Sequence, residues 1–338
     1  VPIRSEWLLV GDIGGTNARF ALCDGVEGVP HSVGLRAAAD YPQLEAAIDD
    51  YLDSVGRPQL AAVALAVAAA PSLDDDRFDF TNSPWSFGRQ ALARHLGVMT
   101  LEVLNDFEAL ALAVPRLAAE QLHPLRPAAG RQGAARAVLG PGTGLGVAAL
   151  MPIGRGCAGE RWIARAGEGG HVGFAPADEF EIELLRALLQ HHGRVSAERV
   201  LSGPGLAALH AFMAQREREP SSGCTAAADV TAQAIADPHC LAARSVARFC
   251  AMLGAFAGDA ALTFGAWDGV YLGGGILPRI LPLLERSEFV ARFHAKGRMS
   301  RCLEPVPIFV ITDTLAALRG AAARLRQRDR SGRRLRSS

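Results

Sequence analysis

The sequence predicts an α/β protein made of two related domains with a cleft between them. Three observations carry that expectation. Apolar runs of strand length alternate with segments of helical spacing along most of the chain. A strand, a Gly/Thr turn and a second strand occur near the start and recur later, with Gly140 following Gly11 by 129 positions, too long a period for a solenoid. The 338 residues also exceed the roughly 150 of one ordinary domain.

Taken in order, Trp7 to Val10 and Ala18 to Cys23 read as strands joined by the turn Gly11-Asp12-Ile13-Gly14-Gly15-Thr16-Asn17. Asp40 caps a helix in which Leu44, Ala47, Ile48, Tyr51 and Leu52 fall at helical spacing. Ala62 to Val67 reads as a buried strand, Phe87 to Leu96 as a helix closed by Gly97, and Leu101 to Leu104 as a strand ending at Asn105-Asp106-Phe107. The pattern restarts with Ala137 to Leu139, the turn Gly140-Pro141-Gly142-Thr143-Gly144, and the run Leu145 to Met151. Helices are expected at Asp178 to His192, with a capping box at Asp178 and Glu181, at Leu206 to Gln215, and from Ala242 to Phe264. Val270 to Leu272 runs into Gly273-Gly274-Gly275, and Ile308 to Ile311 feeds a last helix from Thr314. The expected division is a small α/β domain over 1–115 completed by the helix 314–330, a large α/β domain over 116–313, and a basic flexible tail over 331–338.

Composition removes several classes of function. Apolar residues are 49% and charged residues 21%, which excludes disorder for most of the chain. Lys plus Arg equals Asp plus Glu at 35 each, so no global field holds a nucleic acid or an anionic membrane. Glycines break the longest uncharged stretch, 137–154, and Arg4 and Glu6 interrupt the first residues; neither reads as a span or a secretory leader, and the expected location is cytoplasmic. The six cysteines, at 23, 157, 224, 240, 250 and 302, lack zinc-ligand spacing and are expected to be reduced. Lys296 is the only lysine, so a Walker A loop and the strand lysine of protein kinases are both excluded. A nucleotide site here must therefore use glycine loops and backbone amides.

Five groups of residues could carry chemistry. Gly11 to Thr16 can turn tightly and point N–H groups at a phosphate, although a tight turn alone also explains it. Asp12 cannot face phosphates without an intervening cation, which points to Mg2+ held through water. Gly142-Thr143-Gly144 repeats the arrangement. Asp106, after a strand at the edge where α/β folds place ligands, is either a general base or a helix cap. Glu168 and His171 stand among four glycines, where a structural turn seldom needs both, while a lone histidine is usually structural. Glu198, taken alone, reads more readily as a first-turn acid of a short helix.

Together these residues resemble the bacterial ATP-dependent glucokinase family. The resemblance rests on Gly11-Asp12-Ile13-Gly14-Gly15-Thr16-Asn17-Ala18-Arg19, Leu104-Asn105-Asp106-Phe107, Gly142-Thr143-Gly144-Leu145-Gly146, Gly167-Glu168-Gly169-Gly170-His171-Val172, and Glu198 through Gly205, in matching order and spacing. It implies two RNase H-like domains of the actin/hexokinase type, closing over D-glucose and ATP, in a homodimer. Carried over residue by residue, it implies Asp106 as the base, with Asn105, Glu168, His171, Glu198 and, in Thr81-Asn82-Ser83-Pro84-Trp85, Asn82 beside the sugar. Gly11, Asp12, Ile13, Gly14, Gly15, Thr16, Thr143 and Gly144 would hold the ATP phosphates, and Gly274 and Gly275 would lie near adenosine. The cysteine-rich zinc motif of the related repressor/kinase superfamily is absent, and no zinc is assigned.

The implied reaction is phosphorylation of the glucose 6-hydroxyl by ATP with Mg2+, giving glucose 6-phosphate and ADP, the first step of glycolysis. Three rivals remain at this stage: a kinase of another hexose, a sugar sensor of the same fold with little turnover, and an actin-like ATPase lacking a sugar site. From Arg324 onward, seven arginines accompany one acid, Asp329, which reads as a solvated helix end. Truncation after Arg328 is accordingly expected to leave turnover within about threefold. A folded truncated protein without activity would overturn that reading.

Overall fold

A computed structural model describes residues 7–24, 28–68, 76–80, 85–153, 161–219 and 223–336, with the side chains of 161 and 329–336 left aside. The chain divides into two compact units, Val1–Leu117 with Asp313–Ser338, and Ala118–Thr312. Unit 1 contains strands β1 (Trp7–Ile13), β2 (Asn17–Asp24), β3 (His31–Ala37), β4 (Leu60–Val67), β5 (Arg77–Asp79), β6 (Ser86–Gly88) and β7 (Leu101–Asn105). Its helices are α1 (Leu44–Ser54), α2 (Arg89–His95) and α3 (Asp106–Ala113), with a last one from the C-terminal segment. Unit 2 contains β8 (Leu122–Arg126), β9 (Arg136–Pro141), β10 (Leu145–Ile153), β11 (Arg161–Gly167), β12 (Gly269–Leu272) and β13 (Ile308–Ile311). Its main helices are α4 (Glu179–His192), α5 (Ala197–Val200), α6 (Gly203–Glu217), α7 (Ala227–Ala236) and α8 (Leu241–Phe264). The short α9 (Leu281–Arg286), α10 (Phe289–His294) and α11 (Ser300–Leu303) follow, and α12 (Ala316–Arg336) returns to unit 1.

The two principal sheets have one topology. Unit 1 orders its strands β3-β2-β1-β4-β7 and unit 2 orders them β11-β10-β9-β12-β13, with β8 added at the outer edge. In each, three consecutive strands, β1–β3 and β9–β11, are antiparallel neighbours and two later strands, β4 and β7 or β12 and β13, add in parallel. The repeat inferred from two glycine turns is therefore a repeat of whole sheets. Ile13 pairs with Ala18 at the tip of one hairpin and Pro141 with Leu145 at the tip of the other, so Asp12 corresponds to Gly140. Only the first hairpin carries a carboxylate at that position.

Apolar faces hold each unit together. Leu9, Ile13, Phe20, Leu44, Ile48 and Leu65 are fully buried in unit 1, because the alternating inward residues of the strands meet the i, i+4 stripe of α1. In unit 2, α8 packs Val246, Phe249 and Leu253 against Leu139 and Leu272 of the sheet. That helix is long and apolar enough by length and composition to cross a bilayer, yet 61% of its apolar window is buried inside the unit, as in a core helix. The burial of Cys23 and Cys250 raises both thiols to about 12, which keeps them protonated and unreactive.

Some boundaries differ from the sequence reading. Phe87 does not open a helix; it lies in β6, stacked on Phe78 of β5 with ring centroids 5.2 Å apart, and α2 starts two residues later. Tertiary packing of the aromatic outweighs its local helical spacing. Strand β3 was not expected: in HSVGLRA the alternating apolar residues Val33 and Leu35 face solvent, so the segment has no buried apolar face. Helix α6 begins at Gly203, since Ser202 accepts from the Gly205 amide and Pro204 suits the first turn. Asp178 caps α4 by accepting from Glu181 N at 2.9 Å, but the Glu181 carboxylate reaches back to Ala177 N and also pairs with Arg292 at 2.6 Å.

Candidate active site

In unit 1 the strand register gathers the expected residues at one end of the sheet. Asp12, Ala66 and Leu104 occupy one row across β1, β4 and β7, and Ile13, Val67 and Asn105 the next. The turn Gly14–Thr16 and the start of α3 thus emerge from the same sheet edge. The turn is tight, with Gly14 N donating to Asn17 O at 2.9 Å. Gly11 lies in β1 rather than in the turn, and its missing side chain is explained by packing: a Cβ there would sit 2.7 Å from Leu65 Cδ2. Ile13 is fully buried, so only its backbone is available to a ligand.

Asp12 stands opposite Arg19 in the β1–β2 ladder. Burial raises its carboxyl above the usual range, and the Arg19 guanidinium opposes that rise. Arg19 also donates to the carbonyl of Thr314, tying the hairpin to the entry of α12. At the other side of the edge, Asn105 ends β7 and caps α3: its Oδ1 accepts from Phe107 N at 2.9 Å and Glu108 N at 3.2 Å. The cap function open to Asp106 in the sequence thus belongs to Asn105, whose amide NH2 is left as the group suited to donate to a ligand. Asp106 is the first residue of α3, and its Oδ1 accepts from Phe107 N at 2.9 Å. A helix N-terminus favours a negative charge at that position.

In unit 2 three side chains converge. His171 Nε2 lies 3.7 Å from Glu168 Oε2 and 3.9 Å from Glu198 Oε1. Glu198 projects from α5 to the base of the second turn, where its Oε2 accepts from Leu145 N at 2.9 Å. Gly144 permits that approach, because a Cβ would overlap Glu198 Oε2. The turn itself is closed by Gly142 N donating to Gly144 O and is held to α6 by Gly203 N donating to Gly142 O, both at 2.8 Å. The expected phosphate turn and the expected sugar carboxylate are therefore direct neighbours.

The glycines around His171 have a packing role that the sequence did not disclose. A Cβ on Gly170 would overlap Leu145 O, and one on Gly169 would meet Val147 Cβ at 2.8 Å, so both let the segment lie directly on β10. Ala197 N donates to Val172 O at 2.8 Å, joining this segment to α5. Arg194, which no spacing pattern links to His171, donates to the His171 carbonyl at 2.8 Å. Gly274, with φ +86°, and Gly273 pack on the second hairpin: side chains at Gly274 and Gly140 would overlap the carbonyls of Pro141 and Gly273. Gly275 faces open space. Asn82 lies outside the described residues.

Two matched sheets, each with a glycine turn at the tip of its first hairpin, define an actin/hexokinase-type kinase fold. The glucokinase family profile matches residues 9–328. The chain is 46% identical over 319 residues to the glucokinase of Chromobacterium violaceum, covering 94% of this chain and 88% of that protein. It is 40% identical to the glucokinase of Tolumonas auensis, covering 96% and 98%. The crystal structure of a glucokinase from an Antarctic psychrotroph superposes with a TM-score of 0.81 at 35% identity, covering 96% of this chain and all of that one. The chain belongs to the glucokinase family.

Proposed function

We propose that this protein is an ATP-dependent glucokinase that transfers the γ-phosphoryl group of ATP to the 6-hydroxyl of D-glucose. The observation that carries the reading is the junction at Gly144, where a turn suited to phosphates adjoins the Glu198 carboxylate, itself 3.9 Å from His171. An ATPase without a sugar site has no use for Glu168, His171 and Glu198 in one cluster. A pyranose offers neighbouring hydroxyls that carboxylates accept from in pairs, with His171 and the Asn105 amide as complementary donors.

In this reading Glu168, His171 and Glu198 of unit 2 hold the sugar, with Asn105 and Asn82 of unit 1. The amides of Gly14, Gly15 and Thr16 and of Thr143 and Gly144 hold the phosphates, and Gly274 and Gly275 serve the adenosine end. Asp106 accepts the proton of the 6-hydroxyl as that oxygen attacks phosphorus and the bond to the ADP oxygen breaks. Asp12 suits Mg2+: it is a half-buried carboxylate beside the glycine turn, and Mg2+ keeps most of its waters and takes one or two carboxylates. A Mg2+ ion held there would supply charge neutralisation to the transferring phosphates. We take the two units to be the two domains of the enzyme, and the family resemblance supports a homodimer in the cytoplasm, where the free thiols of Cys23, Cys224, Cys240, Cys250 and Cys302 are stable.

A panel of hexoses against phosphoryl donors, reading sugar phosphate and donor consumption together, tests the assignment. Stoichiometric glucose 6-phosphate and ADP are expected. ATP loss without sugar phosphate, or a preference for another hexose, would overturn it. Within that panel, Glu168→Gln should weaken glucose far more than ATP. The change removes charge from hydrogen bonds worth about 1.5–3 kcal/mol, roughly ten- to a hundredfold in glucose affinity. An unchanged glucose constant beside an altered ATP constant would reject Glu168 as a sugar ligand.

A further inference from the structure

We propose that Arg324 of the C-terminal helix α12 is a positioning residue for Asp106, bridging the strand that precedes this base and the first turn of the helix that it opens. The run of arginines that begins at Arg324 is therefore not all a solvated helix end. Arg324 Nε lies 3.2 Å from Glu102 Oε2, and its Nη1 lies 3.7 Å from Glu108 Oε1. Glu102 belongs to β7 and Glu108 to the first turn of α3, and Asp106 stands at the junction between them. Both carboxylates are largely withdrawn from water, with side-chain exposures of 12% and 17%.

Helical spacing explains how α12 reaches both. Gly320, Arg324 and Arg328 follow one another at intervals of four and so share one face of the helix. At Gly320 the missing side chain lets α12 lie on the backbone of α3 at Ala109. One turn further on, Arg324 meets the start of α3 and the strand before it. After another turn, Arg328 pairs with the same Glu102.

Docking this helix does not need an ion pair, because Leu318, Ala321, Ala322 and Leu325 are buried and supply the apolar contact. What the arginine adds is a fixed link between two elements. Its planar guanidinium presents several N–H groups at set angles, so one side chain can hold two carboxylates at once. Asn105 ties the first turn of α3 from within, accepting from Phe107 N and Glu108 N. Arg324 ties the same turn from outside, through the Glu108 side chain. Together they hold Asp106 in one place relative to β7. Proton transfer from the 6-hydroxyl depends on that place, since a misplacement of about 1 Å can cost roughly a hundredfold in rate. The inference rests on Asp106 acting as the base in the reaction proposed above.

Arg324→Met keeps the apolar stem and removes the link. Steady-state kinetics should show kcat lowered about tenfold or more, with the KM values for glucose and ATP within about threefold of the parent. Arg324→Lys restores a point charge and should recover part of the loss. Arg328→Gln is the control: its described ion pair is with Glu102 of β7, its side chain is 61% exposed, and kcat should stay within about twofold. Glu108→Ala leaves Arg324 paired with Glu102 and should show the same selective fall in kcat, so it carries the test if Arg324→Met does not fold. Parental kcat in folded Arg324→Met or in Glu108→Ala, a fall matched by a rise in glucose KM, no recovery in Arg324→Lys, or an equal loss in Arg328→Gln would overturn the proposal. Asp106→Asn keeps the inference apart from the functional reading. Parental turnover in that variant defeats the base assignment itself, whereas slow turnover there beside parental turnover in Arg324→Met defeats only the positioning role.

Discussion

Asp106→Asn is expected to lower kcat by about 10²- to 10⁴-fold, the range a positioned general base contributes. The 6-hydroxyl of a sugar is a poor nucleophile, and its proton must leave as the new bond to phosphorus forms. Asp106 opens α3 at the sheet edge from which the Gly14–Thr16 turn also emerges. Asparagine preserves the shape and one acceptor oxygen, which can still receive the Phe107 amide, so α3 should stay in place. Its cap is supplied independently by Asn105. Glucose binding should therefore change much less than turnover, because Glu168, His171 and Glu198 remain. Steady-state kinetics with a direct measurement of glucose and ATP binding checks this. A folded variant that binds both ligands and turns over near the parental rate would reduce Asp106 to a sugar contact.

Gly320→Ala should destabilise unit 1 by about 3 kcal/mol, the upper end of ordinary overpacking. The glycine lies within α12 where that helix crosses α3, and a Cβ would overlap the carbonyl oxygen of Ala109. Both obstructing groups are backbone, so no side-chain rotation relieves the contact. At roughly 2–4 °C per kcal/mol for a domain of this size, the midpoint should fall by about 6–12 °C. The sign discriminates well: on an isolated helix the same change would stabilise by up to about 1 kcal/mol through helix propensity. A melting temperature equal to or above the parent would show that the two helices separate freely. Because α3 begins at Asp106, turnover should fall along with stability.

Much of the fold was legible locally. The strand, glycine turn and strand at both hairpins, the Asp178 cap of α4, and the long apolar α8 each depend on residues a few positions apart, where spacing and capping act directly. The same locality placed Asn105-Asp106 at a strand end. It left open which of the two caps the helix, and the answer lay in where each side chain points. Strand β3 and the pairing of β5 with β6 stayed hidden because β3 turns its apolar Val33 and Leu35 to solvent, and β5 and β6 are three residues each, joined through the Phe78–Phe87 ring stack.

The sequence by itself determined the α/β class, the doubled hairpin, the exclusion of lysine-dependent phosphate schemes and the residue types of the expected site. Tertiary structure alone decided that Gly144 makes room for Glu198, that Gly169 and Gly170 seat the His171 segment on β10, that Arg194 holds the His171 carbonyl, and that Gly320 admits α12 against α3. The physical reason is one of range. Backbone preference and hydrophobic period act over a few residues, whereas a missing Cβ has meaning only once a carbonyl or carboxylate from elsewhere in the chain occupies the space it leaves.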